Sequence, residues 1–335
     1  MGYQLASTPR FYCNVVEWME SNGMGEMPEN ANLFRTLPVV PVHLNTEYTN
    51  LSLQGMESSI EGDNGFIAVL GHNLLSEYQS YYNLIEAQTE VPRTSVVNDG
   101  YPDYCEYDGY SIGTFKGSDN IDSFKISYVD NQEVKIGSII IGTFYEMPHS
   151  PDLSLSLSYD FSGTKTIETR GGSSLSNQIY SGNPMWGNLA AWELAPQITN
   201  PSNPPEVYAL QKLARKGRKI YDLSFSYLDD GDIFGANQSL SHESGATLND
   251  DNYDGSIDSG DLHSTTKFNY NILDDYSFFS QVLNKTNGGQ LPFLFQADKD
   301  DPTNIIIGKL DMKSFKFTQV ANGVYNVKMK IREVW

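Results

Sequence analysis

Near the end of the chain, Tyr325, Val327, Met329 and Ile331 alternate one for one with Asn326, Lys328, Lys330 and Arg332. Successive side chains of a β-strand point to opposite faces, whereas a helix repeats every ~3.6 residues. A period of two therefore dictates an extended strand with one apolar and one basic face. The same period recurs at Leu153, Leu155, Leu157 and Tyr159, separated by serines, at Phe124, Ile126 and Tyr128, and through 220–228. Short apolar bursts at Val39-Val40-Pro41-Val42 and Phe66-Ile67-Ala68-Val69-Leu70 read as sandwich strands joined by long loops, with a further strand at 134–144. Aromatics make up 12% of the chain, with 21 Tyr and 16 Phe, which suits pleated, half-buried surfaces. The reading is a mainly β chain: two β-sandwich, jelly-roll-like domains with one short helix near the C-terminus.

The helix is expected where Asp274 or Asp275 can cap a stripe of Phe278, Phe279, Val282 and Leu283, with Asn287-Gly288-Gly289 as its stop. Leu291-Pro292-Phe293-Leu294-Phe295 reads as a buried edge-type strand, followed by a strand at 305–310. A closing hairpin runs from Phe315 and Phe317 through Ala321-Asn322-Gly323 into the last strand.

Two prolines in Met147-Pro148-His149-Ser150-Pro151 resist both helix and central strand and mark a domain boundary. It separates an N-terminal β-sandwich domain, 1–147, from a C-terminal β domain, 148–335. Two insertions belong to the latter: an extended arm, 171–207, and an acidic insertion, 238–268. The arm is rich in Gly, Ser, Asn and Pro and carries Trp186 and Trp192. Those indoles either anchor a neighbouring subunit or fold back on the chain's own core.

The net charge of −20 argues against nucleic acid as the main partner, because phosphate binding relies on Lys and Arg. Residues 1–115 hold 15 Asp/Glu against Arg10, Arg35 and Arg93, a net −12 that leaves −8 for the remainder. After residue 308 the sign reverses, with Lys309, Lys313, Lys316, Lys328, Lys330 and Arg332 facing Asp311 and Glu333. An acidic front and a basic tail can dock copies or neighbours in one orientation, or can simply be two solvated surfaces. The run Arg215-Lys216-Gly217-Arg218-Lys219 fits contact with an acidic neighbour. No apolar run has bilayer-spanning length and no leader pattern opens the chain, so the expectation is a soluble protein without membrane insertion. Cys13 and Cys105 lack CxxC spacing and read as ordinary reduced thiols.

Residues 250–261 read Asp-Asp-Asn-Tyr-Asp-Gly-Ser-Ile-Asp-Ser-Gly-Asp and resemble the twelve-residue calcium loop of EF-hands, in particular the dockerin variant. Asp250, Asn252 and Asp254 take the first, third and fifth places, and Gly255 the sharp turn. Ser256 offers its carbonyl, Ile257 tethers the loop to the core, Asp258 binds directly or through water, and Asp261 closes the set. Asp261 replaces the usual bidentate Glu, and the flanking residues are poor helix formers, so the expectation is calcium without a full helix–loop–helix. The competing reading is a solvated acidic insertion that needs no metal.

No catalytic constellation accompanies this loop. His43, His72, His149, His242 and His263 are scattered, and HExxH, GxSxG and phosphate-cradling glycine patterns are missing, so the chain is read as not an enzyme.

Several stretches together resemble tail structural proteins of marine tailed bacteriophages: Phe66–Leu74, Trp186-Gly187 with Trp192, Asp222–Leu228, Phe278 through Thr286 to Phe295, and Lys328–Trp335. The resemblance implies a non-catalytic virion component of the tail or baseplate, a ring-forming or adaptor subunit assembled in the host cytoplasm. Its implied partners are copies of itself and other virion tail proteins. The alternative is a carbohydrate-binding module of a phage tail contacting a host surface glycan. That reading draws on Tyr101, Tyr104, Tyr107 and Tyr110, whose rings could stack on sugars.

Overall fold

The computed structural model describes residues 6–23, 31–37, 42–44, 48–52, 62–70, 85–88, 94–95, 110–117, 123–127, 134–160, 164–178, 218–234, 276–301 and 305–334. In the first part lie β1 (Arg10–Asn14), α1 (Val15–Ser21), β2 (Val42–Leu44), β3 (Tyr48–Ser52), β4 (Gly62–Leu70), β5 (Ile85–Gln88), β6 (Thr94–Ser95), β7 (Tyr110–Gly117), β8 (Ser123–Ser127), β9 (Val134–Ile136) and β10 (Ser138–Glu146). The second part contains β11 (Ser156–Asp160), β12 (Thr164–Glu168), β13 (Ser174–Gln178), β14 (Arg218–Asp229), α2 (Asp230–Ile233), β15 (Phe293–Gln296), β16 (Ile305–Leu310), β17 (Phe317–Ala321) and β18 (Val324–Glu333). The chain is mainly β, as its alternation predicts.

One antiparallel sheet of ten strands organises the fold in the order β11-β14-β18-β16-β15-β1-β10-β4-β7, with β17 joined to β18. Smaller sheets pair β2 with β9, β12 with β13, and β3-β8-β5-β6. The large sheet draws β1, β4, β7 and β10 from residues before Pro148 and the rest from residues after it, so both halves share one hydrogen-bonded layer. At its middle, Cys13 of β1 sits between Thr143 of β10 and Phe293 of β15.

Apolar bursts rather than alternating stretches supply this middle because its strands are buried on both faces. Phe11, Cys13, Tyr145, Phe293 and Phe295 turn to one cluster, which continues under β14 and β18 through Tyr221, Leu223, Phe225, Val327, Met329 and Ile331. Tyr12, Phe66, Ala68, Ile140, Phe144, Leu294 and Ile307 form the other. Burying each large side chain contributes roughly 1.5–3 kcal/mol.

The stretch expected as an edge strand lies in the interior instead, with β15 paired to β1 on one side and β16 on the other. Pro292 suggested an edge, but it precedes the first paired residue, Phe293, and removes no ladder hydrogen bond. The serine-spaced strand is also shorter than its pattern. Leu155 and Leu157 pack on the core, while Leu153 precedes β11 and is fully exposed.

The expected short helix is a single π-helical turn, Phe279–Asn284. Asp274 and Asp275 lie outside the described residues, and Ser277 provides a cap-like contact, its Oγ accepting from the Ser280 backbone N–H at 3.2 Å. The stop is the expected one. Asn287, Gly288 and Gly289 all take positive φ (50°, 70° and 87°), and the Gly288 N–H donates to the Leu283 carbonyl at 2.7 Å. Phe278, Val282 and Leu283 thereby enter the core.

At the other end of β1, Asn14 fixes α1. Its Oδ1 accepts from the Glu17 N–H at 3.2 Å, and its Nδ2 donates to the Phe34 carbonyl at 2.6 Å. Glu17 Oε2 in turn accepts from the Thr36 hydroxyl at 2.5 Å, tying residues 34–36 to the helix start.

Candidate assembly surface

Two β-bulges face each other across the start of β18. On β14 the register shifts between Phe225 and Leu228, and on β17 between Gln319 and Ala321, both at the level of Tyr325. An extra residue in one strand of a pair re-aims its side chain. Here Tyr227 and Val320 are turned outward, 77% and 47% exposed. Tyr227 holds φ at 63°, the left-handed region that a bulky side chain rarely adopts, and its N–H donates to Asn326 Oδ1 at 3.1 Å. Beneath this rim, Phe234 packs at 4.8 Å from the Phe317 ring and 5.4 Å from Tyr325.

Leu153 stands at the same end of the sheet. The Asp152 N–H donates to the Ser224 carbonyl at 2.7 Å and the Ser226 hydroxyl to Asp152 Oδ2 at 2.8 Å, which anchor the segment against β14. The charged groups here are mostly acidic, with Lys328 standing opposite Ser224. Asp229 caps α2 reciprocally with Asp232, and the Asp230 N–H donates to the Gly323 carbonyl at 2.9 Å. Neither 226–234 nor 319–326 contains a Lys or Arg.

The opposite end of these strands is basic. Ile220 pairs with Arg332 and Lys309 with Arg332, so Lys309 and Arg332 stand directly opposite one another. Arg332 is ion-paired to Asp160, and the Lys219 N–H donates to Glu333 Oε2 at 2.7 Å. Like charges directly across a ladder repel, and these carboxylates offset the repulsion within the corner.

Beyond Asp160 comes the β12–β13 hairpin, which among the described residues hydrogen-bonds to no other strand. Ile167 pairs with Leu175, and both are exposed, 54% and 62%. The tip is tied by the Thr169 N–H to the Ser173 carbonyl at 2.8 Å, with Gly172 at φ 80°. A lone two-stranded hairpin is marginal in water, and pairing its apolar side chains on an open face does not bury them.

The buried polar groups knit strands together. Lys285 Nζ donates to Thr143 Oγ1 at 2.6 Å and to Gln281 Oε1 at 2.7 Å. Glu146 accepts from Arg10 at 2.8 Å and Lys299 at 2.7 Å, while Arg10 lies 5.1 Å above the Phe144 ring. Burial pushes the Cys13 thiol up to about 12, against the smaller opposing effect of Lys285, so it stays protonated and unreactive. Burial likewise raises Tyr145, whose hydroxyl donates to the Asp232 carbonyl at 2.8 Å.

The sequence-predicted calcium residues Asp250, Asn252, Asp254, Ser256, Asp258 and Asp261 lie outside the described residues, as do Trp186, Trp192, Tyr101, Tyr104 and Tyr107. Among the described residues no three His, Cys, Asp or Glu side chains converge on a common point suited to a metal. Tyr110 opens β7, opposite Leu70. Sequence reasoning missed Tyr227 and Val320, because an alternating pattern gives no sign that one residue has been inserted into the pairing. Comparison with protein families, characterised proteins and solved structures finds no match to this chain.

Proposed function

We propose that this chain is a non-catalytic structural subunit of a bacteriophage tail or baseplate, assembling with copies of itself and with neighbouring tail proteins. The observation that carries the reading is the β12–β13 hairpin, which among the described residues pairs with no further strand and leaves Ile167 and Leu175 exposed. Such a hairpin gains its stability when another surface covers it. The resemblance of several stretches to phage tail proteins supplies the setting. Mass spectrometry of purified particles from a phage encoding this chain tests it: the reading expects the chain at a fixed, repeated stoichiometry, and its absence from washed, intact particles contradicts it.

Within the same reading, the 250–261 loop binds calcium and stabilises the acidic insertion locally, since clustered carboxylates repel until a divalent ion neutralises them. Calorimetric titration of calcium into chelator-treated protein checks this. Heat lost in Asp250→Ala and Asp254→Ala supports the site, and no heat from the unaltered chain removes it.

A further inference from the structure

We infer that copies of this chain join head to tail, the β12–β13 hairpin of one copy seating on the Leu153, Tyr227 and Val320 rim of the next. The inference rests on the assembly reading above and specifies its contact.

Placement comes first. β11 runs antiparallel to β14, with Asp160 opposite Arg218 and Ser156 opposite Asp222, so the rim and the hairpin attachment lie at opposite ends of one strand pair. Along β14, from Tyr227 to Arg218, the strand covers roughly 25 Å. The hairpin thus emerges far from its own rim. A contact between two different patches on identical chains is heterologous, and it propagates into a closed ring or a filament according to the rotation at each step.

Charge complementarity names the occupant. The rim end carries Asp152, Asp229, Asp230 and Asp232 against Lys328, which pairs with Ser224 beside Asp152. The hairpin carries Arg170 against Glu168 and leaves the sheet beside Arg218, Lys219, Lys309 and Arg332, which outnumber Asp160 and Glu333 there. A basic end meets an acidic end only when copies stack in the same direction, whereas a two-fold contact at either end sets like charges together.

Apolar surface and backbone strain agree with this. Ile167 and Leu175 need cover, and the rim offers exposed Leu153 and Tyr227, whose chain neighbours Asp152 and Ser226 are hydrogen-bonded to each other. Tyr227 keeps a left-handed backbone at a bulge, with its N–H held by Asn326 and its ring 77% exposed.

Two variants of the full-length chain test the contact by light scattering after gel filtration, with thermal melts to verify folding. One carries I167S and L175S on the hairpin, the other L153S, Y227G and V320T on the rim. All five side chains are exposed, and Y227G relaxes the backbone, so both variants are expected to fold. At a concentration where the unaltered chain assembles, each variant alone is expected to self-associate more than about tenfold more weakly. Their equimolar mixture is expected to give a one-to-one dimer and nothing larger, because one intact hairpin meets one intact rim. Raised salt should weaken that dimer. Assembly of either variant alone to the size of the unaltered chain overturns the inference. So does a mixture that stays monomeric while the unaltered chain assembles, an outcome that leaves the tail-subunit reading standing. An unaltered chain that is monomeric at every concentration also overturns the contact, while the particle inventory judges the wider reading separately.

Discussion

Lys285 Nζ lies 2.6 Å from Thr143 Oγ1, an ammonium donating into β10 from a lysine that is 1% exposed. With Gln281 Oε1 accepting from both residues, the three side chains form a closed hydrogen-bonded triangle between the π-helical turn and the sheet. A buried donor taken from such a network leaves its acceptors short of partners. Lys285→Met, which keeps the length and loses the donor, is expected to lower unfolding free energy by about 1–3 kcal/mol. Urea denaturation checks this, and an unchanged midpoint contradicts the proposed role of the triangle.

Gly142 is required by close approach of two backbones. It pairs with Asn14 in β1, and a Cβ at this position would lie 2.0 Å from the Cys13 carbonyl oxygen, a backbone atom that cannot swing aside. Gly142→Ala is expected to cost on the order of 4 kcal/mol or more and to sharply reduce soluble yield. Gly231, with open space around its Cβ position, is the control. Gly231→Ala with the same yield loss would show that the clash is not the cause.

Tyr227→Gly should act in the opposite direction. The exposed ring contributes little packing and φ of 63° is unfavourable for any residue with a Cβ, so the monomer is expected to gain up to about 1 kcal/mol. A lower melting temperature in this variant would mean that the ring supports the fold and is not merely held out from it.

Acid stability should depend on Glu146. Burial by itself raises its carboxyl, but hydrogen bonds from Lys299 and Arg10 and their charges outweigh it, leaving the group below the ordinary carboxylate range. A folded value below the unfolded one means that the native state prefers the ionised form. The associated stability is complete above the unfolded value of about 4.3 and is lost as pH falls through the depressed folded value. Glu146→Gln is therefore expected to flatten the acid limb of a plot of stability against pH below about 4.3. The effect is modest, because Glu146 and Lys299 are both partly exposed and water screens the pair. An identical acid limb in both proteins contradicts it.

Much of the sheet was legible because burial writes itself into sequence. The alternation at 325–332 and 220–228 became β18 and β14, the Phe66–Leu70 burst became a strand covered on both faces, and Asn287-Gly288-Gly289 became the helix stop. Pairing partners were not legible. Nothing local tells β1 that its neighbours are β10 and β15, some 130 and 280 residues away, and that long-range choice joins the two halves in one sheet. Of the candidate surface, the basic tail was visible as composition, whereas β13 falls at 174–178, inside the stretch read as an extended arm. The bulges that expose Tyr227 and Val320 were not visible, since a bulge is a mismatch between two strands and neither sequence alone contains it.

The most direct measurement is a density map of the assembled phage tail. The account predicts this chain repeated around the tail axis, with Ile167 and Leu175 of each copy buried against its neighbour. A map in which the chain occupies the tail with its hairpin in open solvent, or in which the chain is missing, would contradict it.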